Sequence, residues 1–307
     1  GIPLFVVIAA LRLASIPIGL WLIQWNADFY NALQKVDAAA AIHQIGVFAL
    51  IILASAGRFL IADYLTKHLQ IRWRTALTAT LLDRWLAGHT FWKLEQSGGT
   101  RATDNPDQRI AEDSRIFVDK LTEETLDILT AIVALFTYIP LLWSLSNFPL
   151  QFSLLGFDVV IHHYMVWAAP IYVALSTGLT HLLGAPLLRL TVDQQHREAD
   201  FRFSLARARE YAEPIALTGG ERAERTAFEH RYSAIVENFH RLINRNLILG
   251  LFTRPYMQTV LQIPTFLALP AFLAGQVTLG GLMQLRSAFQ QVVTNLSYFI
   301  FSYRDLA

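Results

Sequence analysis

The chain has 307 residues, of which 54% are hydrophobic and only 16% are charged, well below the roughly 25% charged content of a soluble globular protein. This composition excludes an ordinary water-soluble enzyme and a disordered chain, and a formal net charge of +1 gives no reason to expect a nucleic acid as partner. Since the sequence contains no cysteine, it also excludes disulfide frameworks, thiolate zinc sites and cysteine nucleophiles.

Six segments are apolar enough to cross a bilayer, which takes about 20 mostly apolar residues. The third is the cleanest, whereas the last two carry prolines or arginine and are weaker in hydropathy. Prolines are nevertheless tolerated in membrane helices when neighbours satisfy the freed carbonyls. The predicted spans are residues 2–23, 42–62, 126–145, 159–188, 247–274 and 279–301.

The basic residues are distributed unevenly between the connections. The segment from Arg58 to Lys120 holds ten Lys and Arg residues and the segment from Arg189 to Arg254 holds eleven, out of 25 in the chain. Cytoplasmic loops carry the excess of positive charge in membrane proteins. The sequence therefore predicts that both segments and both termini are cytoplasmic.

Both basic segments keep a helical pattern and are predicted to form hairpins, at 63–125 and 189–246. Breaks are expected at residues 97–99 in the first hairpin and at Pro214 and residues 218–220 in the second. Asp104, Asn105 and Pro106 suit the start of the returning helix in the first hairpin. Helices that leave the membrane, pair and return are suited to be lever arms for a cytoplasmic motor.

Polar residues recur along one face of the sixth span, at intervals of seven, four and seven residues: Gln284, Gln291, Asn295 and Ser302, with Arg286 on an adjacent strip. Such a face is costly in lipid. It either lines a wet cavity or forms hydrogen bonds between helices. Arg12 lies deep in the first span and for the same reason requires a partner or a cavity.

Four motifs carry a resemblance to a known family. They are Trp25-Asn-Ala-Asp-Phe-Tyr-Asn-Ala-Leu-Gln34, Arg72-Trp-Arg-Thr75, Asp104-Asn-Pro-Asp-Gln-Arg-Ile-Ala-Glu-Asp113 and Arg197-Glu-Ala-Asp-Phe-Arg-Phe203. In order and spacing, from about residue 20 to 303, the chain resembles the membrane domain of the SbmA/BacA-like ABC transporters, which are related to the peroxisomal fatty-acyl ABC transporters. The resemblance implies one all-α domain over residues 1–307, of the ABC exporter type (type IV), with six transmembrane helices and long cytoplasmic extensions.

The resemblance also implies a half-transporter that works as a homodimer in the lipid of a bacterial inner membrane. Its cargo would be peptides, cobalamin or other bulky hydrophilic compounds. No G-x-x-x-x-G-K-[ST] phosphate loop occurs in the sequence, so ATP and Mg²⁺ would bind a nucleotide-binding domain outside this chain, which ends as a domain cut would. This chain is expected to have no cofactor and no catalytic residue of its own.

The hairpin tips are implied to dock on that nucleotide-binding domain. Acids near a helix start are also favoured by the helix dipole, so the pattern has a purely structural interpretation as well. Pro214 departs from the family pattern and puts the end of the second arm in doubt. The expected coupling residues are Asn105, Pro106, Asp107, Gln108, Arg109, Glu112, Asp113, Glu213, Gly219, Gly220 and Glu221.

The alternative is a peptide importer that lacks an ATPase domain and is driven by protons, as some family members are. Its candidate coupling residues are Asp28, Glu123, Glu124 and Asp127, although they form no evident proton pathway. A membrane scaffold without transport is the third interpretation. No metal site is expected, since the adjacent His162 and His163 point to different faces and lack a third ligand.

Overall fold

The computed structural model describes residues 1–96, 109–154 and 157–306, almost all of them in helices. We number nine α-helices and two β-strands in chain order. They are α1 (Ile2–Leu13), α2 (Ser15–Gln34), α3 (Ala38–Leu86), α4 (Thr90–Gln96), α5 (Ser114–Leu145), β1 (Leu150–Leu154), β2 (Phe157–Ile161), α6 (Tyr164–Glu210), α7 (Ala212–Thr218), α8 (Glu221–Leu273) and α9 (Leu279–Leu306).

Five helical stretches in the described part of the chain are long and apolar enough to cross a membrane: Ile2–Gln34, Ala38–Lys93, Arg109–Leu145, Tyr164–Glu210 and Glu221–Leu273. The all-α membrane fold expected from the sequence is therefore confirmed. α9 covers the predicted sixth span as a helix, but its Gln, Arg and Asn side chains keep it out of this set. The count of six spans stays a prediction.

The first span is two helices that meet at Ala14. Pro17 has no N–H to donate to the carbonyl of residue 13, which weakens the helical ladder at this point. The Arg58 guanidinium of α3 donates to the Leu11 carbonyl at 3.0 Å. A neighbouring helix thus supplies a donor to the interrupted backbone, as a break within a membrane helix requires.

A β-hairpin precedes the fourth long helix, where the sequence predicted a helical span from Val159. β1 and β2 pair antiparallel, with Gln151 opposite Val160, and α6 begins only at Tyr164. The apolar run at 157–161 is rich in β-branched residues, which favour a strand. The span predicted at 159–188 is therefore corrected at its start.

The first hairpin bends earlier than predicted. Helical periodicity predicted a continuous helix to residue 95, but α3 ends at Leu86, and a 3₁₀ turn with Gly88 at φ 59° separates it from α4. Glycine adopts this left-handed conformation without steric cost. The predicted break at 97–99 lies outside the described residues, and the chain returns through a π-helical turn, Arg109–Asp113, into α5.

The chain divides into two compact units. Unit 1 comprises Gly1–Pro170 and Ile263–Ala307, and unit 2 comprises Ile171–Gln262. The core of unit 1 includes Ile8, Leu69 and Leu126, from α1, α3 and α5, all fully buried. This three-helix contact is sealed at one end by Phe5 and Trp73, whose stacked rings lie 5.9 Å apart.

Unit 2 consists of most of α6, from Ile171 to its end, the short α7 and most of α8. Its two long helices are joined by aromatic contacts, including Phe201 with Tyr232 at 5.7 Å and Tyr172 with Tyr256 at 5.1 Å between ring centroids. The second predicted hairpin is therefore present as two packed helical arms.

Candidate functional site

An ion pair joins α1 to α5 within unit 1. Arg12 Nη1 lies 3.2 Å from Asp127 Oδ1, and the two side chains are 26% and 43% exposed. Arg58 of α3 is also half-buried beside them. The requirement that Arg12 have a partner is thus met by an acid 115 positions away in the sequence, a distance at which sequence reasoning alone could not match them.

The other two candidate proton-coupling acids of α5 also have partners. Glu123 accepts from Lys67 at 3.5 Å and from Gln70 at 3.4 Å, both on α3. Glu124 accepts from the Tyr298 hydroxyl of α9 at 2.8 Å. The three carboxylates of α5, at 123, 124 and 127, therefore hold three different neighbouring helices.

A small polar cavity adjoins the ion pair. Its volume of about 100 Å³ leaves room for several water molecules, since a site for one water needs on the order of 10–15 Å³ on this measure. Two arginines and two aspartates line it together with four uncharged residues: Arg12, Ser15, Arg58, Phe59, Ala62, Asp63, Asp127 and Thr130. Unit 1 thus contains a pocket with charged lining, large enough for water, among helices of membrane-spanning length.

The first turn of α9 is capped by side chains of α2. The first N–H groups of a helix have no partner within it, and here each of the first three meets a side-chain oxygen. Leu279 N donates to Gln34 Oε1 at 2.9 Å, Gly280 N to Asn31 Oδ1 at 3.1 Å and Gly281 N to Thr278 Oγ1 at 3.1 Å. Asn31 and Gln34 belong to the first family motif, and sequence reasoning had assigned them no role.

Gly280 allows this close approach of α9 to α2. A Cβ atom at this position would lie 2.1 Å from the Ala27 carbonyl oxygen and 2.5 Å from Asn31 Cγ, far inside contact distance. The Gly-Gly pair after Leu279 was the available signal in the sequence, and it had been assigned no role.

The first motif makes further contacts from α2. Trp25 Nε1 donates to the Gln44 carbonyl of α3 at 2.7 Å, and Asn26 Nδ2 donates to Ser287 Oγ of α9 at 3.3 Å. Asp28, the fourth candidate proton-coupling acid, is exposed and accepts from Gln24 Nε2 at 3.0 Å. The motif therefore connects three helices at one end of unit 1.

The polar stripe of α9 is divided between two environments. Gln284 donates to Gln24 Oε1 of α2 at 3.2 Å, which is a hydrogen bond between helices. Asn295 donates to the Gln291 carbonyl of its own helix at 2.7 Å. Four residues of the stripe are half-buried: Gln284, Arg286, Gln291 and Asn295. The side chain of Ser302 lies outside the described residues. Cavity lining by this stripe stays a prediction.

The tip of the first hairpin is described only in part. Asn105, Pro106, Asp107 and Gln108 lie outside the described residues. Arg109, Glu112 and Asp113 form the π-helical turn before α5, and Arg74 of α3 donates to the Ala111 carbonyl at 3.3 Å. That hydrogen bond holds the base of the tip against α3.

The second tip is built around α7. The helix breaks at Tyr211 and not at Pro214 as predicted. Pro214 lies in the first turn of α7, where its lack of an N–H group costs no helical hydrogen bond. Gly219 adopts φ 63°, and Gly220 N donates to the Ile215 carbonyl at 2.9 Å. Together with the longer bond from Gly219 N, this is a Schellman motif that ends α7 and turns the chain into α8.

A groove of about 320 Å³ lies beside α7. Glu213 is in the first turn of α7 and Glu221 in the first turn of α8, so the two acids stand at separate helix starts. The groove is mainly apolar with a charged border and is lined by Ala208, Ala212, Ile215, Ala216, Glu221, Glu224, Arg225 and Phe228. It is a surface suited to a protein contact.

The arms behind this tip are held together by buried polar contacts. Asn238 of α8 is 1% exposed, and its amide donates to the Leu190 carbonyl and to Gln194 Oε1 of α6, both at 2.9 Å. Arg197, from the fourth family motif, donates to the Ala234 carbonyl at 2.8 Å. Both amide donors of Asn238 are used in this way, and such contacts fix the register of packed helices. Sequence reasoning had missed Asn238, because one Asn in a charged helix carries no pattern.

Long apolar helices with paired helical arms and a capped helix-to-helix contact define a multi-pass membrane domain. The chain matches the family described as ABC transporter transmembrane region 2 over residues 2–273. It belongs to this family. The match supports the ABC part of the resemblance given above and does not distinguish the SbmA/BacA-like branch.

Relatives of the chain are found in bacteria, plants and animals. It is 35% identical, over 99% of its length and 54% of the relative's, to the inner membrane ABC transporter ATP-binding protein YddA of Escherichia coli. It is 28% identical, over 97% and 40%, to ABC transporter D family member 2, chloroplastic, of Arabidopsis thaliana. It is 23% identical, over 76% and 36%, to the lysosomal cobalamin transporter ABCD4 of Mus musculus.

The chain spans about half the length of the bacterial relatives that it matches. It is a multi-pass membrane domain of an ABC transporter, and its location corresponds to the bacterial inner membrane named for the E. coli relative.

Proposed function

We propose that this chain is the membrane domain of an ABC half-transporter that moves bulky hydrophilic compounds by ATP-driven alternating access. Two copies would enclose one central cavity. Nucleotide-binding domains, fused or separately encoded, would bind ATP and Mg²⁺ and close on the hairpin tips. The arms would carry that closure to the gates as a rigid-body movement.

The observation that carries this proposal is the construction of the second hairpin. Its arms are connected by buried hydrogen bonds from Asn238 and Arg197, so a displacement at one end is transmitted along both helices. α7 and the groove beside it present a compact docking surface at the turn between the arms. A loop that only connected two spans would not need this rigidity.

The cargo class is proposed from the polar interior and from the relatives. The mouse relative is named a cobalamin transporter, and cobalamin is a large hydrophilic compound. Half-buried amides on α9 and the polar cavity that adjoins the Arg12–Asp127 pair supply hydrogen-bonding groups at membrane depth. Peptides belong to the same chemical class and are included in the proposal.

The alternative, a proton-driven peptide importer, has less support from the geometry. Its candidate acids Glu123, Glu124 and Asp127 each hold a partner on a different helix. Asp28 lies on α2, where it accepts a hydrogen bond from Gln24. A proton pathway would need these carboxylates to exchange partners one after another. The ATP-driven mechanism requires no such exchange.

The test combines two substitutions at the first hairpin tip, Asp107→Ala and Glu112→Ala, in the full-length transporter in proteoliposomes. We expect ATP binding to be retained and uptake of radiolabelled cobalamin and short peptides to be lost, because the tip no longer transmits closure. The matched control is Asp83→Ala, which removes an exposed acid of the same hairpin from α3 and should leave transport intact. Normal transport by the double variant would contradict the proposal.

A further inference from the structure

A groove of about 430 Å³ runs between α2 and α3, at the end of unit 1 where these helices are joined. α2 contributes residues at intervals of three and four, which place them on one face of the helix, and α3 contributes a similar face. The groove is lined by Trp21, Gln24, Trp25, Asp28, Gln44, Val47, Leu50, Ile51 and Ala54.

The groove is polar at one end and apolar at the other. Because α2 and α3 run in opposite directions, Asp28, Gln24 and Gln44 lie together near the connection between the helices. Trp21 and Ala54 lie toward the middle of the two spans, with Leu50 and Ile51 between. The offset of seven residues from Trp21 to Asp28 corresponds to roughly 10 Å along the helix.

The charge at the polar end is fixed in position by hydrogen bonds. Asp28 is the one ionisable residue among those that line the groove, and its carboxylate is exposed. Gln24 donates to it at 3.0 Å and in turn accepts from Gln284 of α9 at 3.2 Å. This chain of amides orients a negative charge toward the groove and uses both functional atoms of Gln24.

The aromatic residues serve two purposes. Trp25 is structural, because its indole N–H donates to the Gln44 carbonyl and its ring packs on Phe29 and Phe48 at 5.0 and 4.6 Å. Trp21 is 60% exposed at the apolar end of the groove. Its exposed ring offers a large apolar surface to an acyl chain.

We propose that this groove binds one phospholipid with a primary ammonium headgroup, of the phosphatidylethanolamine class. The ammonium group donates to Asp28, the headgroup lies along the polar end, and an acyl chain follows Trp21, Leu50 and Ile51. A negative carboxylate complements the ammonium group and repels a headgroup that carries only a phosphate charge. The inference depends on the membrane location of the chain and not on the ATP-driven mechanism.

The experiment titrates the purified full-length protein with phosphatidylethanolamine or phosphatidylglycerol of identical acyl chains and counts bound lipids by native mass spectrometry. We expect phosphatidylethanolamine to bind about fivefold more tightly at one site per protomer, near the upper range for a partly exposed ion pair. Asp28→Asn should abolish this preference, and Asp83→Asn, which removes an exposed acid elsewhere on unit 1, should keep it.

Two further arms separate the headgroup from the acyl chain. Leu50→Ala should weaken the binding of both lipids equally, because in the proposed arrangement Leu50 contacts only the acyl chain. Soluble glycerophosphoethanolamine should not bind at lipid concentrations. The proposal is overturned if the wild type shows no preference, if Asp28→Asn keeps the preference, or if the soluble headgroup binds as tightly as the lipid, which would identify the groove as a site for a free amine.

Discussion

Arg12 and Asp127 form a partly exposed ion pair among helices of membrane-spanning length. Each charge alone would be costly at this depth, because lipid offers no alternative partner. Their separation of 3.2 Å and the adjoining polar cavity reduce that cost together. The pair therefore acts as a specific connection between α1 and α5 beside the helix break at Ala14.

Removing both members of this pair should destabilise the protein less than the sum of the two single removals. We expect Arg12→Met and Asp127→Asn each to lower the free energy of unfolding in detergent by about 2 kcal/mol, since each leaves an unpaired charge. The double variant should recover about 1 kcal/mol of the combined loss. Thermal denaturation followed by intrinsic tryptophan fluorescence measures all three.

The control for this cycle is the ion pair of Arg225 with Glu229, whose side chains are 80% and 63% exposed. Exposed helical pairs of this kind contribute only about 0.3–0.5 kcal/mol. Arg225→Met should therefore leave the melting temperature nearly unchanged. Strictly additive losses at Arg12 and Asp127 would show that the two side chains do not interact.

The sequence showed which polar side chains need a partner inside the membrane, but it did not show which residues those partners are. Arg12 required a partner or a cavity at its depth, and it has both in the structure. Its partner Asp127 could not be identified without the fold, because any acid near membrane depth met the requirement. For the same reason Gln284 was recognised as polar and costly, whereas its pairing with Gln24 depends on how closely α9 approaches α2.

The contact of α2 with α9 depends on Gly280, because a glycine has no side chain to hold the two helices apart. Asn31 and Gln34 cap α9 from outside it, and a bond of this kind is worth about 1 kcal/mol. Gly280 lets the two backbones come close enough for those bonds to form.

Gly280→Ala should push α9 away from α2. A Cβ atom 2.1 Å from a backbone carbonyl cannot be accommodated by a side-chain rotation, so we expect a destabilisation of about 3 kcal/mol. Gly46→Ala is the matched control, since a Cβ at Gly46 meets nothing within 4 Å in the described protein. Equal melting temperatures for the two variants would refute the close approach.

The arms of unit 2 depend on one buried amide. Asn238→Ala removes the donor to the Leu190 carbonyl and leaves the buried Gln194 Oε1 without this partner, at a cost of about 1–3 kcal/mol. We expect hydrogen exchange of the helix segments around residues 190 and 238 to become about tenfold faster. The exposed Asn244 of the same helix gives the control Asn244→Ala, and unchanged exchange in both variants would show that the amide does not hold the arms.

The extents of the long helices were largely predictable, and their interruptions were less so. Hydropathy located the continuous helix of α5 and the long arms of α6 and α8, since both patterns extend over many turns. It missed β2, because a five-residue apolar run fits a strand as well as the end of a helix. It also missed the turn at Gly88, where one glycine among helix-forming residues decides the conformation.

The candidate coupling residues of the whole transporter were identified by the family resemblance of the sequence and not by the geometry of the hairpins. Acids at a helix start have a sufficient structural reason to be there, so pattern alone could not assign them a partner. The structure places Glu213 in the first turn of α7, Gly219 and Gly220 at its end and Glu221 in the first turn of α8, and their coupling role stays a prediction. Asn105 to Gln108 lie beyond what the structure describes.

The central claim is that ATP closes the two hairpin tips of a dimer. Because these 307 residues contain no cysteine, one substitution, Ala223→Cys in the exposed first turn of α8, carries a spin label at each tip, once any cysteine outside them is replaced. The measurement is the distance between the two labels in the full-length dimer in nanodiscs, by pulsed electron resonance, with and without ATP and vanadate. We expect trapping with ATP and vanadate to shorten this distance, whereas a change of pH alone should leave it unchanged. A distance that is unchanged by ATP, or that responds to pH alone, would contradict the central claim.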